Sequence, residues 1–173
     1  MSYLTALLSA SHKKGAFNCG KPLLDNCLRI QAKQDVKRKL SACFVLVDDN
    51  NYVKGYYTLS SAVIQRDMLP EDIRKKLSPS YNDLPATHLG RLAVDSNYQG
   101  QKLGEHLLMD ALKRSLAVSA EVGSMAVIVD PVDYGAINFY KKFDFILLPD
   151  SGKMFLSMPL IAGCFELMLL NSN

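Results

Sequence analysis

Residues 89–104 read Leu-Gly-Arg-Leu-Ala-Val-Asp-Ser-Asn-Tyr-Gln-Gly-Gln-Lys-Leu-Gly, and this stretch decides the fold. Its first six residues are a β-strand candidate, the turn that follows contains Gly100 and Gly104, and an amphipathic helix is predicted from Leu103 to Ala117. Such a junction points several backbone N–H groups at one place, with the positive end of the helix dipole behind them. The pattern therefore predicts an anion site suited to a pyrophosphate. A strand–turn–helix that binds nothing is the alternative.

The remaining sequence alternates between helix and strand patterns on both sides of this stretch. We predict helices at Pro22–Lys37 and Gly135–Lys142, a short helix within residues 65–86, a hairpin of Ala42–Asp48 with Val53–Ile64, a buried strand at Met125–Val129, and closing strands at Phe143–Leu148 and Met154–Leu160. This order predicts an α/β (α+β) chain, a single domain over residues 1–173 with a mixed central sheet flanked by helices. The apolar tail Ile161–Leu170 is either a further strand or a contact surface for a second subunit.

The composition is that of an ordinary globular domain. The chain has 173 residues, of which 49% are hydrophobic and 21% charged, enough to bury one core. No membrane span or signal peptide is expected. The four cysteines are Cys19, Cys27, Cys43 and Cys164, and they form no zinc-binding spacing, so we expect buried, reduced thiols, no metal site and a cytoplasmic protein.

Positive charge is concentrated at the N-terminal end of the chain. Residues 1–40 carry a net charge of +6 and the remaining residues a net charge of −3. Lys33, Lys37 and Arg38 cluster at the end of the predicted first helix. This asymmetry suggests a polyanionic partner, but taken by itself a solvated helix face is the simpler explanation.

The turn also carries a family resemblance. Its glycine spacing matches neither the P-loop nor the dinucleotide-binding pattern. Residues 99–104, Gln-Gly-Gln-Lys-Leu-Gly, instead resemble the acetyl-CoA loop of the GNAT acetyltransferase superfamily, with Lys102 where the family usually has glycine. The resemblance implies that the strand before the loop splays from its neighbour and that its main chain pairs with the pantetheine arm. The implied acetyl-CoA-binding residues are Leu92, Ala93, Val94, Gln99, Gly100, Gln101, Lys102, Leu103 and Gly104.

A second segment resembles the same superfamily. Residues 136–145, Ala-Ile-Asn-Phe-Tyr-Lys-Lys-Phe-Asp-Phe, are similar to its Ala-x-x-Phe-Tyr-x-x-x-Gly-Phe pattern, with Asp144 in place of glycine. The resemblance implies that Tyr140 is the catalytic residue beside the thioester sulfur and that Asn138 contacts the cofactor.

The opening of the chain resembles one subgroup of the superfamily. Residues 17–35, from Phe-Asn-Cys-Gly to Gln-Asp, are similar to the start of the acetyltransferase toxins of type II toxin–antitoxin systems, and residues 148–150 and 154–156 also look typical of them. The resemblance implies acetylation of the α-amino group of aminoacyl-tRNA, which blocks translation. The implied partners are a ribbon-helix-helix antitoxin, operator DNA reached only through that antitoxin, and a second copy in a homodimer. The predicted tRNA-binding residues are Lys33, Lys37, Arg38 and Arg91.

The residues around the strand favour an α-amine as the acceptor. Residues 89–94 contain no carboxylate to act as a base. His88 lies beside them, and its simpler interpretation is a structural role. A lysine amine, with a pKa of about 10.4, needs help to lose its proton, whereas an α-amine, at about 7.7–8.0, needs little. Tyr140 can donate a proton to the departing sulfur. Two alternatives stay open: acetylation of small amines or protein N-termini, which the basic helix disfavours, and a non-catalytic binding module, which Tyr140 disfavours.

Overall fold

The computed structural model describes residues 2–171, which divide into two compact units. The first unit contains the residues up to Ser60 together with Leu89–Arg114, and the second contains Ser61–His88 and the residues from Ser115 onward. Strands from both units belong to a seven-stranded sheet of order β1-β2-β3-β4-β5-β7-β6. The strands are β1 Ala6–Leu7, β2 Ala42–Val47, β3 Val53–Gln65, β4 Asp83–Val94, β5 Ala126–Val129, β6 Ile146–Leu147 and β7 Met154–Ser157.

The helices flank this sheet, as the α/β prediction requires. They are α1 Pro22–Asn26, α2 Ala32–Lys37, α3 Glu71–Arg74, α4 Leu103–Ser119, α5 Tyr134–Lys141 and α6 Met158–Leu170. A π-helical turn, Cys27–Gln31, joins α1 to α2, so the first helix predicted from sequence is one continuous helical segment with a wide turn in its middle. Pro22 occupies the first turn of α1, where its missing N–H costs no hydrogen bond.

In the first unit, one apolar cluster packs the α1–α2 segment against the sheet. Tyr56 of β3 is fully buried and donates a hydrogen bond of 2.6 Å from its hydroxyl to the Leu24 carbonyl. The cluster consists of Phe17, Cys19, Leu24, Cys27, Leu28, Ala32, Cys43, Val45, Val53, Tyr56 and Ala93. Three of the four cysteines are therefore buried, as expected, but the prediction was wrong for Cys164, which is exposed on α6.

A buried polar network fixes α4 to the strands of the same unit. The Asp110 carboxylate accepts hydrogen bonds from the Thr5 hydroxyl at 2.6 Å and the Tyr57 hydroxyl at 2.8 Å. The Arg114 guanidinium lies 3.8 Å from the same carboxylate and offsets its charge. Because an unpaired buried carboxylate is costly, this network specifies the position of the helix whose first turn forms the candidate anion site.

The second unit has its own core around β5. All four residues of β5 are buried, as the continuous apolar run predicts, and β5 pairs antiparallel with β7 from Ala126↔Ser157 to Val129↔Met154. The core residues are Ile64, Leu69, Leu84, Ala86, Ala126, Ile128, Leu148 and Phe155.

Three predicted strand boundaries were wrong. Strand β4 begins at Asp83 and not at Leu89. The short helix predicted within residues 65–86 is confirmed as α3, which a 3₁₀ turn at Arg66–Met68 precedes. The strand predicted at Phe143–Leu148 shortens to Ile146–Leu147. The predicted strand Met154–Leu160 ends at Ser157, where α6 begins and takes in the apolar tail. Within residues 2–171 no helix is long and apolar enough to span a bilayer.

Candidate active site

The loop between β4 and α4 is anchored at its start by a buried carboxylate. Asp95 is 5% exposed, and its side chain accepts hydrogen bonds of 2.9 Å from the backbone N–H groups of Asn97 and Asn18. These bonds cap the 3₁₀ turn Ser96–Tyr98 and attach the loop to the N-terminal segment. The start of the loop is thereby attached to the segment around Asn18.

Gln99 braces the loop from its own side chain. Its Nε2 atom donates hydrogen bonds of 3.0 Å to the carbonyls of Cys19 and Val94. Both donors of the amide are used within the protein, so we assign the side chain to loop support. The contact between Gln99 and acetyl-CoA stays a prediction.

The backbone of the loop turns twice through the left-handed region. Gly100 has φ +79°, and a methyl group added to it would meet no atom within 4 Å, which leaves open space above the loop. Lys102 has φ +59°, the conformation that a glycine at this position would adopt most easily. The chain therefore adopts at position 102 a left-handed backbone of the kind that glycine favours, although the residue is lysine.

Helix α4 begins directly after these turns. Leu103 and Gly104 are half-buried in its first turn, whereas Gln101 and Lys102 are exposed. The first N–H groups of a helix have no partner within the helix and carry partial positive charge. The N–H groups of a helix start, the open space beside Gly100 and the charge of Lys102 fit the pyrophosphate of acetyl-CoA.

Strand β4 leads into this loop through close packing that sequence reasoning missed. Ala93 is buried, with Leu92 and Val94 half-buried on either side. A methyl group added to Gly55 of β3 would lie 2.7 Å from the Leu107 side chain and 3.1 Å from the Ala93 carbonyl. Glycine is thus required at position 55 for α4 and β4 to approach β3 this closely, and an isolated glycine within a strand pattern is the signal that could have revealed it.

Arg91 on the same strand has an unused hydrogen-bond donor. Its Nη1 atom donates to the Gly90 carbonyl at 2.8 Å. Its Nε atom is buried and has no hydrogen-bond partner among the described residues. A buried guanidinium N–H normally has an acceptor, so this donor is an exception among the buried polar groups of the described residues.

Tyr140 is buried in the second unit, on helix α5. It is 7% exposed, and its ring centroid lies 5.2 Å from those of Phe139 and Phe145. Burial raises the pKa of the Tyr140 hydroxyl well above its ordinary value, so the group stays protonated in neutral and mildly alkaline solution. A tyrosine in this state is a proton donor. The exposed Asn138 lies on the same helix.

Both ends of α5 are defined by local backbone chemistry. The Asp133 carboxylate accepts a 2.8 Å hydrogen bond from the Ala136 N–H and caps the start of the helix. Asp144 follows the end of the helix with φ +63°. As at Lys102, a non-glycine residue adopts the left-handed conformation where the family pattern has glycine.

His88 belongs to a polar cluster in the second unit. Its Nε2 atom lies 2.8 Å from Oδ2 of Asp130, whose Oδ1 accepts a 2.7 Å hydrogen bond from Lys153. Burial raises the pKa of the Asp130 carboxyl, but the hydrogen bonds and charges of Lys153 and His88 outweigh burial and leave the pKa lowered. This arrangement supports the structural interpretation of His88. The sequence pattern did not identify Asp130 or Lys153 as its partners.

The predicted RNA-binding lysines lie together on the first unit. Lys33 and Lys37 are exposed on α2 and line a cavity of about 290 Å³, whereas Arg38, also exposed, lies just beyond the end of that helix. Among the described residues no group of three or more His, Cys, Asp or Glu side chains could hold a metal ion.

Comparison with known proteins identifies several relatives. A curated relative, the "tRNA-acetylating toxin" of Mycobacterium tuberculosis (strain ATCC 25618 / H37Rv), is 35% identical over 134 residues, 78% of each chain. A solved structure of AtaT complexed with acetyl-methionyl-tRNAfMet has a TM-score of 0.85 at 27% identity and covers 95% of this chain and 99% of that one. A structure of AtaTR bound with AcCoA has a TM-score of 0.81 at 28% identity, with 93% and 96% covered.

The family assignment rests on the span of the chain that carries the two motifs. The sequence model of the acetyltransferase (GNAT) family matches residues 17–145, which include both the β4–α4 loop and Tyr140. The match confirms the predicted superfamily, the mixed α/β fold and the use of acetyl-CoA. The chain belongs to the acetyltransferase (GNAT) family and is an acetyl-CoA-dependent acyltransferase.

Proposed function

We propose that this protein is a toxin that transfers the acetyl group of acetyl-CoA to the α-amino group of aminoacyl-tRNA and so stops translation. The observation that carries the proposal is the similarity to the mycobacterial tRNA-acetylating toxin, which extends over 78% of both chains. The likeness to AtaT in complex with acetyl-methionyl-tRNAfMet supports it independently at the level of structure. The proposed catalytic unit is a single acetyltransferase domain over residues 1–173.

The proposed chemistry uses a free α-amine and one protein acid. The ammonium form of the substrate first loses a proton to solvent, because its pKa of about 7.7–8.0 leaves a useful fraction deprotonated at neutral pH. The amine lone pair then forms a C–N bond to the thioester carbonyl, the C–S bond breaks, and the hydroxyl of Tyr140 donates a proton to the departing sulfur. The nitrogen releases its second proton to solvent as the amide forms, and the Tyr140 phenolate takes a proton back from solvent. The raised pKa of Tyr140 keeps this acid in its protonated form.

The proposed cofactor contacts are made by the first unit. The N–H groups at residues 101–104 bind the pyrophosphate, and the main chain of Leu92, Ala93 and Val94 pairs with the pantetheine arm. The left-handed backbone at Gly100 and Lys102 and the open space beside Gly100 support this assignment. Asn138 is proposed as a further contact from α5.

The proposed tRNA contacts are Lys33, Lys37, Arg38 and Arg91. Positive charge at the end of α2 supports the first three, because phosphate contacts supply most of the affinity of proteins for nucleic acids. Arg91, which is half-buried on β4, is proposed as the fourth contact because its guanidinium is positively charged.

The proposed assembly is a homodimer neutralised by a ribbon-helix-helix antitoxin, through which alone the complex binds operator DNA. Helix α6 supports the homodimer, because it presents apolar side chains to solvent: Leu160, Leu167, Met168, Leu169 and Leu170 are each at least 47% exposed. An apolar surface of this kind is typical of a protein contact.

Cell-free translation tests the proposed function. The purified protein should arrest synthesis of a reporter only when acetyl-CoA is present, and fresh aminoacyl-tRNA should restore synthesis. The variant Tyr140→Phe serves as the matched inactive enzyme. Arrest without acetyl-CoA would rule out acetylation as the cause, whereas arrest by Tyr140→Phe equal to that by the wild type would exclude Tyr140 as the acid.

A further inference from the structure

A cavity in the first unit is lined by Lys33 and Lys37 of α2 and also by positive residues from outside that helix. Its volume is about 290 Å³, and it lies between the segment after β1 and helix α2. Its lining residues are Leu8, Ser9, Ala10, His12, Lys14, Lys33, Val36 and Lys37. Three lysines and one histidine therefore surround it, and no carboxylate is among the lining residues. Leu8 and Val36 add apolar wall, which reduces the screening of these charges by water.

Lys14 differs from the exposed Lys33 and Lys37 because it lies in the partly enclosed part of the cavity. It is half-buried, and its ammonium group donates a hydrogen bond to the Arg29 carbonyl. Burial lowers the pKa of Lys14, and the neighbouring charge of Lys33 lowers it further. Like charges are thus held together at a cost that a bound anion would offset.

His12 adds a hydrogen-bond donor whose tautomer the structure defines. The Ser9 backbone N–H donates a 3.0 Å hydrogen bond to Nδ1 of His12. Since a backbone N–H can only donate, Nδ1 carries the lone pair and the proton of the neutral ring is on Nε2. The ring therefore offers an N–H donor even when it is uncharged.

We infer that this cavity binds a phosphate group of the RNA substrate, with the ammonium groups of Lys14, Lys33 and Lys37 and the His12 ring as its donors. The inference rests on the proposed function for the identity of the RNA and on the cavity itself for the phosphate. Two sources share this chemistry, the 5′-terminal phosphate of the tRNA and a backbone phosphodiester. Lys14 and His12 are new to the site, because the sequence analysis named only Lys33, Lys37, Arg38 and Arg91 as RNA-binding residues.

The first test uses inorganic phosphate as the probe and measures its binding by calorimetry. Loss of one charge-assisted hydrogen bond should weaken phosphate binding about 10- to 100-fold in Lys14→Met. Lys75→Met removes the same charge from an exposed pair with Glu71 on α3 and should leave phosphate affinity unchanged. Lys37→Met, on an exposed position, tests the site if Lys14→Met folds poorly. Unaltered acetyl-CoA affinity shows that each variant is folded.

The second test separates the two phosphate sources with charged tRNA that carries or lacks its 5′ phosphate. A KM that rises on dephosphorylation, and that Lys14→Met then no longer changes, identifies the terminal phosphate. A KM insensitive to dephosphorylation, with a salt slope about one unit smaller in Lys14→Met, identifies a phosphodiester. Either result supports the inference.

Two results would overturn it: no binding of inorganic phosphate to the wild type, or equal phosphate affinity in Lys14→Met and Lys75→Met. The titration needs no RNA, so it is separable from the proposed function. Phosphate binding that requires Lys14, found together with no acetyl transfer to charged tRNA, would refute the tRNA assignment alone.

Discussion

Among single residues, the hydroxyl of Tyr140 has the most direct chemical consequence. Tyr140→Phe removes only this group, and the buried ring contacts with Phe139 and Phe145 remain. Acetyl transfer should fall by about 100- to 10,000-fold, the usual contribution of a positioned acid, while acetyl-CoA affinity stays near that of the wild type. The matched control is Tyr134→Phe, the same change at a residue of the same helix that is 85% exposed. Turnover within a few-fold of wild type in Tyr140→Phe would exclude Tyr140 as the acid.

The pKa of Tyr140 leads to a second expectation. An ordinary tyrosine titrates at about pH 10, but burial raises the pKa of Tyr140, so the folded enzyme keeps its proton donor beyond that pH. We expect kcat/KM to show no decline from pH 8 to about pH 10 once the substrate amine is deprotonated. The same shift means that this group's contribution to stability is complete below about pH 10 and is lost as pH rises further, because only the unfolded chain releases the proton there. A decline in kcat/KM centred near pH 9 in a protein that is still folded would contradict this assignment.

Lys102 combines a strained backbone with a charge beside the cofactor loop. A non-glycine residue with φ +59° lowers the free energy of unfolding by roughly 1 kcal/mol through backbone strain. Lys102→Gly should therefore leave stability unchanged or slightly higher. Lys102→Glu keeps the strain, reverses the charge and should weaken acetyl-CoA binding more than Lys102→Gly does. Calorimetry of the two variants separates backbone from charge. Equal affinity of Lys102→Glu and wild type would show that the side chain points away from the phosphates.

At the scale of elements, the first turn of α4 is the part of the fold that the cofactor requires. Gly104→Asp places bulk and a negative charge among the N–H groups proposed to bind the pyrophosphate, so acetyl-CoA affinity should fall at least 10-fold. Gly123→Asp makes the same change in an exposed turn where an added methyl group meets no atom within 4 Å. The idea fails if both variants bind acetyl-CoA equally well.

The elements also show what sequence patterns can and cannot predict. Helix α4 was predicted closely because its apolar residues recur at helical spacing, and β5 because it is a short, uninterrupted apolar run. The run that begins at Met154 is almost continuously apolar, so its periodicity does not distinguish a strand from a helix. Pro159, in the first turn of α6, is the residue that indicates where the strand ends. Pro85 lies in the first half of β4, and because a proline indicates the end of a strand, that half was not predicted as strand.

The site was predictable only where residues are adjacent in sequence. The loop and the α5 motif are contiguous segments, so their residue types and spacing were sufficient. Lys14 meets Lys33, and His88 meets Asp130, only after folding, and no local pattern records such long-range contacts. The left-handed backbone at Lys102 and Asp144 could not be predicted for another reason. A glycine in the sequence indicates this conformation by its residue type, whereas a lysine or an aspartate does not.

Over the whole molecule, charge is the property that bears on RNA binding. If the basic end of α2 meets phosphates, replacing Lys33, Lys37 and Arg38 by Ala should weaken all charged tRNAs by similar factors and flatten the salt dependence of binding. Acetyl-CoA affinity should not change. The triple variant Arg74→Ala, Lys75→Ala, Lys76→Ala removes the same charges at α3 and controls for net charge. Equal salt slopes for the two triple variants would identify the α2 lysines as an ordinary solvated face.

The most direct measurement follows labelled acetyl from acetyl-CoA to charged tRNA. The account predicts label that travels with aminoacyl-tRNA, leaves with N-acetylated amino acid on alkaline hydrolysis of the ester, and is absent when the tRNA is uncharged or the enzyme carries Tyr140→Phe. Free amino acids and protein N-termini, offered at the same concentration, should accept little. Label on those amines with none on charged tRNA would contradict the account and would point to acetylation of small amines or protein N-termini instead.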